Sequence, residues 1–296
     1  MALRAATRGS TLARAQTDLV AGLLGTDVEP VVVETAGDRR TDVPIWALGG
    51  RGVFVKEVQA AVLEGRADIA VHSAKDLPST VVDGLAIGAV PERGDPRDAL
   101  VGSSLADLAP GACIGTGSVR RRAQLAWLRP DLTFASLRGN METRLEKAAG
   151  FGAIVVAAAA LARLGRSSEV TEMLATELVV PQVGQGALIV ECRADDEGTL
   201  ETLAAVDHEP SRRAVEAERA WLAEVGGGCD LPVGAHARVT PGGSIHLTGM
   251  LATGDGRVVV RHTADGDDPI ELGRTVARHL LDDGGGAALL EAARGA

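Results

Sequence analysis

The chain has 296 residues, room for two or three domains, and its 46% hydrophobic and 24% charged content is that of an ordinary globular protein. A formal net charge of −10 and an aromatic content of 2%, with no tyrosine, argue against a nucleic-acid partner, which needs positive charge and stacking platforms. The N-terminal MALRAATRGS has no apolar core of signal-peptide length, and the longest apolar run, AIVVAAAALA, is too short to span a bilayer, so a cytoplasmic protein without a membrane segment is expected.

Short β-like runs alternate with helical patterns through the first two-thirds, the signal for an α/β fold with mostly parallel sheets. LRAA reads as a strand. STLARAQTDLVAGLL reads as a helix capped by Ser10 or Thr11. VEPVVVET is a second strand, and RGVFVKEVQAAVLEGRA a helix with Phe54, Val58, Ala61 and Val62 on one face. DIAVHS is a strand ending at Ser73, and PERGDPRDALVG, rich in Pro, Gly and charge, reads as a crossing between domains. The pattern then repeats as the strands ACIGT, TFASL and AIVVAA and the helices VRRRAQLAWL, METRLEKAA and ALARLG. LVVPQVGQGALIVECRA reads as a second hinge and a returning strand. Beyond it, SRRAVEAERAWLAEV is an amphipathic helix running into a glycine loop. The tail VGAHARV, SIHLTGMLA, RVVVRHTA and PIELGRTVARHLLDD reads as three strands and a helix, a small α+β domain.

Three strand-to-helix junctions, ATRGST, GTGSVRRR and SLRGNMETR, each set glycine, a small polar residue and arginine at a helix start. Free N–H groups and guanidinium forks suit carboxylate or phosphate, so Arg8, Arg120, Arg121, Arg138 and Arg144 are candidates for an anion site; capping serines with surface arginines are the plainer alternative. No GxxxxGK[ST] phosphate loop is present. In HSAKDLP, Asp76 either closes an Asx-type turn or, ionised at the C-terminal end of a strand, stabilises a developing cation or moves a proton. Lys75 reads as a solvated charge and His72 as a half-buried strand residue.

The three cysteines form no CxxC pair, which argues against a disulfide framework, and no Cys or His cluster has zinc-ligand spacing, so no metal is expected. Cys113 and Cys192 lie in apolar strand patterns and read as buried. Cys229 follows three glycines after a helix C-terminus, where the macrodipole raises a thiol pKa. It suits an accessible attachment point better than a nucleophile.

The ordered set ATRGS, FVKEV, ADIAVHSAKDLPS, DPRDALV, GTGSVRRRAQL, SLRGNMETRL, LARLG, VGQGALIVECR and GGGCDLPVG resembles the porphobilinogen deaminase, or hydroxymethylbilane synthase, family nearly end to end. The resemblance implies a transferase of porphyrin and haem biosynthesis that condenses four porphobilinogen molecules into hydroxymethylbilane with release of ammonia. It implies a dipyrromethane cofactor held by a thioether to Cys229, with Ser73, Lys75, Thr116, Ser118, Arg120, Arg121, Arg138 and Arg144 around it. Arg8, Ser10, Arg138, Arg144 and Arg163 match residues for the substrate's acetate and propionate groups, and Asp76 matches the catalytic aspartate. It further implies a monomer of three domains: two lobes like those of periplasmic binding proteins, residues 1–92 with 187–205 and residues 96–182, and a C-terminal cofactor-attachment domain, residues 209–296. The chain departs from the common family pattern at Arg51, Gly117, Gly226 and Asp230. Two rival readings are weaker. A two-lobed anion-binding protein without chemistry leaves the cysteine loop and the third domain unexplained, and a thiol hydrolase lacks an assignable base.

Overall fold

The β–α alternation folds as two five-stranded sheets, and the tail as one three-stranded sheet, in the computed structural model, which describes residues 2–35, 55–226 and 231–294. By contact the chain divides into two units, residues 1–94 with 187–212 and residues 95–186 with 213–296.

The first unit holds β1 (Leu3–Arg8), α1 (Thr11–Leu24), β2 (Val28–Val33), α2 (Lys56–Leu63), β3 (Ile69–Ser73), β4 (Leu85–Ala89), β10 (Leu188–Arg193) and α6 (Glu197–Ala204). Its sheet runs β2-β1-β3-β10-β4. The β1 strand pairs parallel with β2 and β3, whereas β10 pairs antiparallel with both its neighbours. Alternation along the strands serves both faces. Ala5, Ile69, Val71 and Val190 pack with Val20 of α1 and Leu203 of α6, while Ala6 and Ala70 pack with Val58 and Val62 of α2. Burial of two faces is why the middle of β3 reads as a continuous apolar run.

The second unit repeats that arrangement with β5 (Asp98–Val101), β6 (Cys113–Gly115), α3 (Val119–Leu128), β7 (Thr133–Ala135), α4 (Met141–Glu146), β8 (Ala153–Ala157), α5 (Ala158–Arg163) and β9 (Glu172–Leu174). Strand order is β7-β6-β8-β5-β9, and here β5 is the strand antiparallel to its neighbours. The same unit contains α7 (Glu209–Val225, assigned to it from Arg213 onward), the antiparallel meander β11 (Val233–Val239), β12 (Ile245–Ala252) and β13 (Val259–Gly266), then α8 (Pro269–Arg278) and α9 (Gly286–Arg294). Trp221 of α7, fully buried, packs with Leu247, Val276 and Leu280. The meander docks on α3 through Ala123, Val180, Met250 and Ala252. Arg261 reinforces the contact by donating to the carbonyls of Glu177 and Leu178.

Most predicted elements are present, with differences at their ends and in the short pieces. The helix expected over 51–67 is described only as Lys56–Leu63, and Phe54 lies outside the described residues. The segment expected as a crossing contains β5, and PIELGRTVARHLLDD ends its α-helix at Arg278 before one π-type turn. Strands β4 and β9 and helices α6 and α9 have no counterpart among the predicted elements.

Candidate active site

Ser10 gives the first anion-binding feature its shape. It has extended backbone, and its side chain accepts a hydrogen bond from the Ala13 N–H, capping α1 just beyond the end of β1. Arg8, Ser10, Gln16, His72, Ser73 and Asp76 line one cavity there. Asp76 is exposed at the end of the 3₁₀ turn Ala74–Asp76 that follows β3, and Lys75 in the same turn is half-buried. The turn is tied down where the Ala74 N–H donates to the Ala187 carbonyl. Gln16 Nε2 donates to Ser73 Oγ at 2.8 Å, fixing the last residue of β3 against α1. Asp76 thus ends a turn and stands on a cavity with an arginine and two hydroxyls.

The second feature is built the same way around α3. Ser118 caps that helix, and the Ser118 N–H donates to Thr116 Oγ1 at 3.2 Å. A Cβ on Gly117 would lie 3.1 Å from the Leu137 carbonyl oxygen, so the GTGS loop passes close against the segment that carries Arg138. Arg144 Nε donates back to the Gly139 carbonyl at 2.9 Å. Gly139 has φ 118, and a Cβ there would meet Thr143 at 2.7 Å, so only glycine fits. Arg138 and Arg144 are half-buried, as is Arg163, whose Nη2 donates to the Gly186 carbonyl at 2.6 Å. Burial pushes the Arg163 guanidinium down to about 10.

Arg120 and Arg121, also candidates for the anion site, pair with an internal carboxylate. Both are buried, at 3% and 6% exposure, with the fully buried Asp98 at the start of β5. Arg120 Nη2 lies 2.8 Å from Asp98 Oδ2, and Arg121 donates from Nε and Nη2 to Oδ1 at 3.0 and 2.8 Å. Gln185 Nε2 completes the set at 2.8 Å from Oδ1. Burial by itself would raise the Asp98 carboxyl; the Arg120 and Arg121 charges outweigh it and hold the group well below the usual carboxylate range. Neither Asp98 nor Gln185 stands out in the sequence as a site residue. The nearest signal is a lone acid opening the apolar run DALV.

Cys229 lies outside the described residues, as do Arg51 and Asp230. The helix leading to the cysteine, α7, ends at Val225, and the next residue, Gly226, has a φ of 66, the left-handed conformation of a glycine cap. Cys192 is fully buried in β10, and burial pushes its thiol up to about 11; Cys113 is half-buried in β6.

Hydroxyls, helix N-termini and arginines at strand ends define a class, an α/β protein with donor sets suited to carboxylate or phosphate ligands. A family model described as "Porphobilinogen deaminase, dipyromethane cofactor binding domain" matches residues 3–201, and one for the C-terminal domain of porphobilinogen deaminase matches residues 212–282. The porphobilinogen deaminase of Brevibacillus brevis is 46% identical over 298 residues, spanning 97% of this chain and 96% of the relative. That of Acidothermus cellulolyticus is 49% identical over 296 residues, spanning 95% and 89%. Among solved structures, a putative periplasmic sulfonate-binding protein from Methylobacillus flagellatus matches at 16% identity and a TM-score of 0.38, covering 76% of this chain and 68% of its own, a likeness too distant to bear on the ligand. The chain belongs to the porphobilinogen deaminase family.

Proposed function

We propose that this chain carries out the reaction of its family: it joins four porphobilinogen molecules head to tail into hydroxymethylbilane, releases ammonia, and uses a dipyrromethane primer attached to Cys229. The observation that carries the reading is the match of both family domains, in order, across residues 3–201 and 212–282. The domain limits inferred from sequence, residues 1–92 with 187–205, 96–182 and 209–296, belong to the same proposal.

The donor chemistry suits that primer, since each pyrrole carries an acetate and a propionate. Thr116 and Ser118 at the start of α3, with Arg138 and Arg144 on the adjoining loop, offer hydroxyl and guanidinium donors for those carboxylates. Arg121 adds to them. A guanidinium has five N–H donors, and the bonds to Asp98 and Val155 engage Nε, Nη1 and Nη2 with one hydrogen each. Arg120, Lys75 and Ser73 complete the proposed cofactor set. The bound dipyrromethane supplies a terminal pyrrole with an unsubstituted α-carbon at which the chain grows. Arg8, Ser10, Arg138, Arg144 and Arg163 take the carboxylates of the incoming porphobilinogen. Asp76, exposed on the cavity with Arg8, holds pyrrole N–H groups and stabilises the cationic ring formed as ammonia leaves.

The proposal includes a monomer without nucleic-acid or membrane partners, working in the cytoplasm; no helix among the described residues is long and apolar enough to cross a membrane. Intact mass and porphobilinogen consumption test the reading together. The purified protein should carry a covalent adduct of two condensed pyrrole units and convert porphobilinogen to hydroxymethylbilane. A protein of unmodified mass that consumes no porphobilinogen would overturn it.

A further inference from the structure

Against His72, which lines the cavity of Asp76, the first unit holds a buried acid that the proposed function does not use. Glu191, on β10, is fully buried. Its Oε2 accepts from Gln59 Nε2 at 2.8 Å and lies 3.1 Å from His72 Nε2, an ion-pair contact more than an aligned hydrogen bond. Its Oε1 has no hydrogen-bond partner among the described residues. The register explains the meeting: Glu191 stands opposite Ala70 and Ile189 opposite His72, so Glu191 and His72 project from the same face of the sheet. His72, 5% exposed, also lines the cavity of Arg8, Ser10 and Asp76.

An isolated ionised carboxylate is not stable in an apolar interior. The described neighbours offer Glu191 one titratable partner, the imidazole, and Gln59 from α2 is uncharged. Such a pair is electrically neutral when it holds one proton, as imidazolium with carboxylate or imidazole with carboxylic acid. The charged groups lining the cavity with His72 are Arg8 from β1 and Asp76 from the turn after β3, while α1 presents the uncharged Gln16.

We propose that Glu191 is a positioning residue for the reaction: paired with His72 around one shared proton, it locks the ring beneath the exit of β3 and gives the cavity a neutral floor, so that Asp76 stands in fixed register with Arg8. This rests on the function proposed above and adds two residues to it. The pair acts on the placement of Asp76 and not on how the substrate's carboxylates are held. Its loss therefore lowers turnover and leaves substrate affinity nearly intact.

The test begins with the unsubstituted protein, whose adduct mass and activity settle the underlying reading separately. Glu191→Gln then keeps the size and the Gln59 contact but cannot share a proton. It should fold, carry the adduct and lose on the order of 10²-fold in kcat, the effect of a small misplacement of reacting groups, with KM within about threefold. His72→Asn should behave likewise, and the double variant should be no worse than the poorer single one, as for residues that act as a unit. A loaded Glu191→Gln that loses less than about tenfold in kcat, a loss confined to KM, or additive losses in the double variant each overturn the proposal. If Glu191→Gln does not fold, His72→Asn decides by the same kcat and KM criteria.

Discussion

Replacing Asp98 by asparagine tests the reading of Arg120 and Arg121 most directly. The substitution keeps size and one acceptor. The amide oxygen could still receive Arg121 and Gln185 at the Oδ1 position, but the amide N–H group would face Arg120 Nη2, now 2.8 Å from an acceptor. Two guanidiniums at 3% and 6% exposure would lose the Asp98 charge. Breaking a buried pair by removing one partner costs about 3–5 kcal/mol, and the retained acceptor puts the expectation near ~3 kcal/mol at neutral pH. Asp95→Asn is the internal control. The Arg97–Asp95 pair has a similar 2.6 Å contact but side-chain exposures of 43% and 27%, so solvent screening limits its loss to about 1 kcal/mol or less. Urea unfolding of the three proteins gives both differences. Equal losses for the two substitutions would refute the argument from burial. The pH dependence has a defined sign. The folded-state pKa of Asp98 is depressed, so its stabilisation is complete above the unfolded value of about 3.9 and is lost as pH falls through the folded value. The gap between parent and Asp98→Asn should therefore stay constant around neutrality and narrow only below about pH 4.

Three further outcomes are expected. Cys229→Ser should lack the covalent dipyrromethane by mass, while Cys113→Ser and Cys192→Ser keep it; an adduct persisting on the Cys229→Ser protein would remove that assignment. Asp76→Asn, folded and loaded, should lose roughly 10²–10⁴ in kcat with a smaller change in KM, and a loss of less than about tenfold would leave Asp76 as a turn residue. Cys192, fully buried with its thiol pushed up to about 11, should resist alkylation at pH 8 until the protein is unfolded; peptide mapping of the native protein that finds it modified would contradict its burial.

Local chemistry was enough to place many of the elements and the ends of some. VRRRAQLAWL is the helix Val119–Leu128 and VGAHARV the strand Val233–Val239, because apolar period, a capping serine and β-branched content all act within a few residues. The three glycine-and-arginine junctions were equally legible, and in each the expected small polar residue, Ser10, Ser118 or Asn140, caps the following helix. The order of the family motifs, on which the proposed roles of Cys229 and Asp76 rest, is likewise read from the sequence alone. What the sequence could not decide is which distant residues meet. Asp98–Val101 is too short to show alternation and becomes a strand because β8 and β9 flank it. Gln185 reaches Asp98 across 87 residues, and Gln59 reaches Glu191 across 132. In each lobe the antiparallel strand carries the buried acid, Glu191 on β10 and Asp98 on β5, and sheet order chooses its partners. A lone acid in an apolar run looks like a defect in one dimension. Only the folded chain shows the imidazole or guanidiniums that meet it, because hydrogen bonding and Coulomb energy depend on distance in space, not along the chain.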